Sequence, residues 1–201
     1  MRNKFILSLL GAVWLGTSLA SLAPLPSASA SQSSDLKAQA VQARKALAKK
    51  YPHEHIYSIR TADLNNDKKY ESFMLTETGN FFLYNSKGYL IPIATEILSN
   101  EGFENPTLQV FAVSPTEKQI ATFHSFGPSN TWTKVYRLQG GTLVKTLDVM
   151  GDQGVEIDSK GRIHQHWKKY REWEVGGWYP VEAVYTWNAA KHKYTGTGMI
   201  P

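Results

Sequence analysis

The sequence predicts a mainly β (α+β) domain: an antiparallel meander folded as a sandwich or partial barrel, with one N-terminal helix. Three observations predict it. Short runs rich in Val, Ile, Tyr, Phe, Trp and Thr recur from residue 56 onward, as half-buried pleated surfaces require. Turn chemistry separates these runs. Asn85-Ser86-Lys87-Gly88 and Asp158-Ser159-Lys160-Gly161 are one turn written twice, with Asx first and Gly fourth, as a type I turn prefers. Helical spacing of apolar residues, by contrast, occurs once, over residues 35–50.

The chain starts with a short basic stretch, Met1-Arg2-Asn3-Lys4. An apolar run follows from Phe5 to about Ala20, and then Ala28-Ser29-Ala30. That is the order of a secretory signal peptide with a small-residue cleavage site, so residues 1–30 are expected to be removed. Ser31-Gln32-Ser33-Ser34 is then a flexible new N-terminus. From Asp35 to Lys50, Leu36, Ala40, Ala43 and Leu47 form one stripe of a helix. Ser34 caps it, Asp35 suits the positive end of its dipole, and Lys49 and Lys50 suit the negative end. Pro52 stops it.

Residues 35–201 form a single domain. Its expected strands are 56–62, 70–77, 80–85, 89–94, 108–113, 119–125, 131–138, 142–149, 154–158, 162–171 and 181–187. Gly140-Gly141 suits a two-residue hairpin loop. Eleven short strands are too few for a closed propeller of four four-stranded blades. The stretch Glu174–Pro180, with Gly176-Gly177 inside it, reads as a loop.

Composition narrows the chemistry. The chain has 201 residues and no cysteine, which excludes disulfides, thiolate metal sites and thiol catalysis. Stability must therefore come from a packed core, with or without a metal. The net charge of +5 falls to about +3 without Arg2 and Lys4. It is spread thinly, with no Lys/Arg run of the kind that binds nucleic acid. After signal removal no segment reaches the ~20 apolar residues of a membrane span.

The most informative stretch is Asp63-Leu64-Asn65-Asn66-Asp67-Lys68-Lys69-Tyr70-Glu71. Asp63, Asn65, Asp67 and Glu71 place side-chain oxygens at positions 1, 3, 5 and 9, and the carbonyl of Lys69 falls at position 7. Calcium takes several hard oxygen donors of these kinds. The stretch resembles the loop of FG-GAP and VCBS-type repeats, and more distantly dockerin and EF-hand loops, where the pattern is D-x-[DN]-x-D-G with a later acidic residue. That resemblance implies a calcium ion held by Asp63, Asn65, Asp67, Lys69 and Glu71. Two positions depart from it. Position 6, normally glycine, is Lys68, which must adopt a left-handed backbone at about 1 kcal/mol or more. Position 12, the last EF-hand ligand, is Met74. The competing reading is a turn between two strands, closed by its own Asp and Asn side chains without an ion. The Asn/Asp-Ser-Lys-Gly turns also resemble those of small secreted bacterial proteins that carry such loops.

Other patterns are weaker. His53/His55 and His164/His166 are two His-x-His pairs, which together suit zinc or copper only if the fold joins them. Separately, 164–166 reads as the polar face of a strand. Trp178 and Tyr179, with Arg171 nearby, are candidates for stacking on sugar rings. Glu172 and Glu174 are a spaced carboxylate pair that a hydrolase can use. No nucleophile elbow, P-loop or H-E-x-x-H motif occurs. The expectation is a secreted, non-catalytic binding or structural domain stabilised by calcium. Its partners would be a cell-wall polysaccharide or another exported protein. A cell-wall or carbohydrate-binding module and a hydrolase are the alternatives.

Overall fold

The computed structural model describes residues 28–95, 104–171 and 176–200. Most of the expected signal peptide lies outside the described residues. Among the described residues one helix, α1 (Ala28–Lys50), precedes twelve strands. β1 (Ile56–Ala62), β2 (Glu71–Thr76), β3 (Asn80–Tyr84) and β4 (Leu90–Thr95) form the first sheet. β5 (Glu104–Ala112), β6 (Lys118–Phe126), β7 (Asn130–Gln139) and β8 (Thr142–Gly151) form the second. β9 (Val155–Ile157), β10 (Ile163–Tyr170), β11 (Trp178–Asn188) and β12 (Lys193–Gly198) form the third. Each sheet is an antiparallel meander in chain order. The protein is thus mainly β with one N-terminal helix. None of the three sheets closes into a barrel. Among the described residues, no helix is long and apolar enough to cross a membrane.

The sheets stack in layers, and the strand pattern explains why. In β2, Phe73, Met74 and Leu75 are all fully buried. Successive side chains of a strand point to opposite faces, so such a run needs cover on both sides. Phe73 and Leu75, with Phe81 and Leu83 of β3, face Leu108, Ile120, Tyr136 and Leu143 of the second sheet. Met74 and Phe82 point the other way, against Ala43 and Leu47 of α1. The second sheet repeats the device. Ile120 and Tyr136 face the first sheet, while Ala121 and Val135 face Ile163, Val155 and Tyr185 of the third.

β5 starts four residues before the expected 108, and three further differences have a physical reason. Residues 31–34 are helical, because α1 starts at Ala28. Serine is only a middling helix former, but each added residue gains a hydrogen bond on an existing nucleus. β11 begins at Trp178, inside the stretch expected to be a loop. Pro180 is tolerated there: it pairs with Lys168 on one side, while β12 pairs only from Ala183 onward. So the missing N–H of Pro180 faces a free edge. Finally, β12 (KYTGTG) lacks the apolar alternation that marks a strand. Pairing supplies what its composition does not: Tyr194 lies opposite Trp187 and its hydroxyl donates to Gln119 of β6 at 3.0 Å.

The repeated turns are superposable in their bonding. Asn85 Oδ1 accepts from the amides of Lys87 and Tyr89 at 3.1 and 3.0 Å. Asp158 Oδ1 accepts from those of Lys160 and Arg162, both at 2.9 Å. Gly161 (φ +72°) is required twice over, since a Cβ would also stand 2.2 Å from the Ala112 carbonyl oxygen of the second sheet.

Glu54, between α1 and β1, fastens the β2–β3 turn. Its carboxylate accepts from Thr78 Oγ1 at 2.6 Å and Asn80 Nδ2 at 2.7 Å. Burial pushes this carboxyl up, but the hydrogen bonds from Thr78, Thr76 and Asn80, with His55 beside it, hold it below the ordinary 4.5. A depressed acid contributes stability above its unfolded value and loses it as pH falls through the folded one. Glu54→Ala is therefore expected to cost about 1–2 kcal/mol at pH 7. The cost should fade in denaturation curves taken below pH 4.

Candidate functional site

The loop 63–70 joins β1 to β2 and is pinned at Leu64. Leu64 is fully buried in the core between the first and second sheets, and its carbonyl accepts from the Lys118 amide at 2.8 Å. Beyond this anchor the chain curls back to Asp63. The carboxylate of Asp63 accepts from the amides of Asp67 and Lys68 at 3.1 and 2.8 Å, and Asp67 Oδ1 accepts from the Lys69 amide at 2.9 Å. Asn66 (φ 60°) and Lys68 (φ 65°) are left-handed. Lys68 therefore adopts the left-handed backbone that usually falls to glycine.

Glu71 opens β2 and is 2% exposed. Ser86 and the Leu64 backbone favour its ionised form, yet its Oε2 has no hydrogen-bond partner. Burial pushes the Glu71 carboxyl up to about 7, and the nearby Asp67 and Asp63 charges add to this. A buried carboxylate oxygen without a donor is costly, and a cation is one thing that removes the cost. The residue lines a cavity of about 260 Å³ with Asn65, Asp67, Lys69, Ser86 and Gly140. Asn85 Nδ2 donates to the Gly141 carbonyl at 3.0 Å, so the β3–β4 turn and the β7–β8 hairpin close the cavity together.

The donor chemistry suits calcium. Ionised carboxylates offer about four lone-pair sites, so Asp63 retains acceptors beyond its two amide bonds. Asn65 and the Lys69 carbonyl add hard neutral oxygens. Among the described residues no three His, Asp or Glu side chains already stand as a closed metal set, so binding would draw the three carboxylates inward. Ser86 and the Gly140-Gly141 hairpin were not predicted as part of this region. Their turns are legible locally, but nothing local says that they meet the loop.

The other expected site residues are not brought together. Trp178 is 43% and Tyr179 37% exposed, but as neighbours on β11 they face opposite sides. Trp178 instead lies opposite the exposed Tyr170, with Lys168 Nζ 5.2 Å above its ring. Arg171 is exposed, and its amide closes the hairpin on the Gly177 carbonyl at 3.0 Å. Glu172 and Glu174 lie outside the described residues. His53 and His55 precede β1 of the first sheet and His164 and His166 lie on the third, with the second sheet between them. A four-histidine site is therefore not formed.

The chain matches no protein-family model and no curated protein sequence.

Proposed function

We propose that this protein is an exported, non-catalytic binding or structural domain whose first two sheets are braced by calcium at Asp63, Asn65, Asp67, Lys69 and Glu71. One observation carries the calcium reading: the buried, unpartnered Glu71 Oε2 stands at the end of a loop whose oxygen spacing resembles that of calcium loops. The basic-apolar start followed by Ala28-Ser29-Ala30 supports export, where calcium is abundant. A bound ion would satisfy Glu71 and offset the repulsion among the three carboxylates.

Calcium titration by calorimetry tests this. One site per chain is expected. Lys68→Gly should tighten it roughly two- to fivefold, because it removes a positive charge next to the ion. The same change should stabilise the ion-free protein by about 0.5 kcal/mol, the left-handed strain of lysine less the entropy that glycine loses on folding. No heat of binding at millimolar calcium, in either protein, would end the reading.

A further inference from the structure

His164 and His166 alternate along β10 and so share a face. It is the outer one, because the intervening Ile163 and Gln165 are buried against the second sheet. The register puts Glu182 of β11 directly opposite His166. Glu182 Oε1 stands 2.7 Å from His164 Nδ1 and 3.9 Å from His166 Nδ1. The far nitrogens each face a carboxylate of their own: His164 Nε2 is 3.2 Å from Asp158 Oδ2, and His166 Nε2 is 3.6 Å from Glu156 Oε1. Two rings thus turn one nitrogen toward a shared carboxylate and the other toward a second one, of which that of Asp158 also pairs with Arg162 at 2.7 Å.

We infer that His164, His166 and Glu182 form a binding site for a divalent transition-metal ion of the zinc–copper class, with Asp158 and Glu156 orienting the two rings. Imidazole and carboxylate are donors that suit these ions. Metal-bound histidines habitually donate their other N–H to a carboxylate, which fixes the tautomer. A tetrahedral ion with bonds of ~2.0 Å holds its donors about 3.3 Å apart, and the observed 2.7 and 3.9 Å straddle that value. The rings lie 6.3 Å apart at 19°, so closure needs them to tilt toward each other. His166 and Glu182, with side chains 35% and 44% exposed, have room to do so. Three protein donors leave the remaining position to water. Without a metal, the same residues form a ladder of histidine–carboxylate contacts in which His164, though partly buried, is held above its ordinary value by Glu182 and Asp158.

Competition for Zn²⁺ against a chromophoric chelator, with the untagged protein at pH 8, tests the assignment. One zinc per chain is expected, with excess calcium unable to displace it. His164→Ala and His166→Ala should each weaken binding at least tenfold, and His53→Ala/His55→Ala should leave it unchanged. Asp158→Asn is the sharper variant. Asn85 makes the same amide contacts in the sister turn, so asparagine keeps the turn while removing the orienting charge, and with it the exposed Arg162 ion pair. A 10–100-fold loss is expected. Absence of stoichiometric zinc, or binding indifferent to His164→Ala and His166→Ala, would overturn the site. Should His164→Ala fail to fold, the half-exposed His166 decides alone.

Discussion

Glu71→Gln is expected to raise the melting temperature of the ion-free protein at pH 7.5 and to abolish its response to calcium. The unfolded chain ionises this carboxyl near 4.5, whereas the folded protein holds its proton up to about 7. Between those values the folded state binds a proton that the unfolded state lacks. Stability without metal therefore falls as pH rises through the window, by up to about 3 kcal/mol. Glutamine carries no charge to bury, so the variant should lose this slope. Calcium acts in the opposite sense on the wild-type protein. At 100 times its Kd it should add about 2.7 kcal/mol, or roughly 5–10 °C for a domain of this size. Calorimetric melts in EDTA and in calcium, at pH 5 and pH 7.5, separate these effects. Identical melting temperatures for the wild-type protein in EDTA and calcium at pH 7.5 would remove the ion from the account.

Phe81→Ala is expected to cost about 3–5 kcal/mol in chemical denaturation. The ring is fully buried and joins the first sheet to the second, with its centroid 5.2 Å from that of Tyr136 at 49°. Alanine would leave a void bounded by two packed sheets, neither of which can collapse onto it. A double-mutant cycle with Tyr136→Leu should give a coupling of about 0.5–1.5 kcal/mol, the range for tilted aromatic pairs. Val144→Ala, 41% exposed on β8, serves as the control and should stay within about 0.5 kcal/mol. Equal losses at Phe81 and Val144 would contradict the layered core.

Much of this architecture is legible in the chain. All eleven expected strands are present, and the Asn85 and Asp158 turns adopt the same amide bonding. Residues that carry their own instructions make this possible: β-branched and aromatic runs, Asx at a turn start, Gly at its end. β12 escapes because its instruction is not its own. A strand of Lys, Thr and Gly forms only because β11 offers it a ladder. Trp178 and Pro180 read as loop in sequence for the same reason, since the register with β10 decides their state.

The candidate sites divide along the same line. Oxygen spacing in 63–71 is a property of nine consecutive residues and can be read directly, as can the left-handed demand at Lys68. The burial of Glu71 cannot, because Ser86 and the β7–β8 hairpin cover it from far along the chain. Nor can the meeting of His164 and His166 with Glu182, which depends on the β10–β11 register. Sequence alone therefore determined most of the elements, the Asx turns and the order of possible ligands, all set by short-range sterics and hydrogen bonding. Tertiary structure alone decided which carboxylate loses its water and which histidines share a charge, because desolvation and cross-strand proximity exist only once the sheets have stacked.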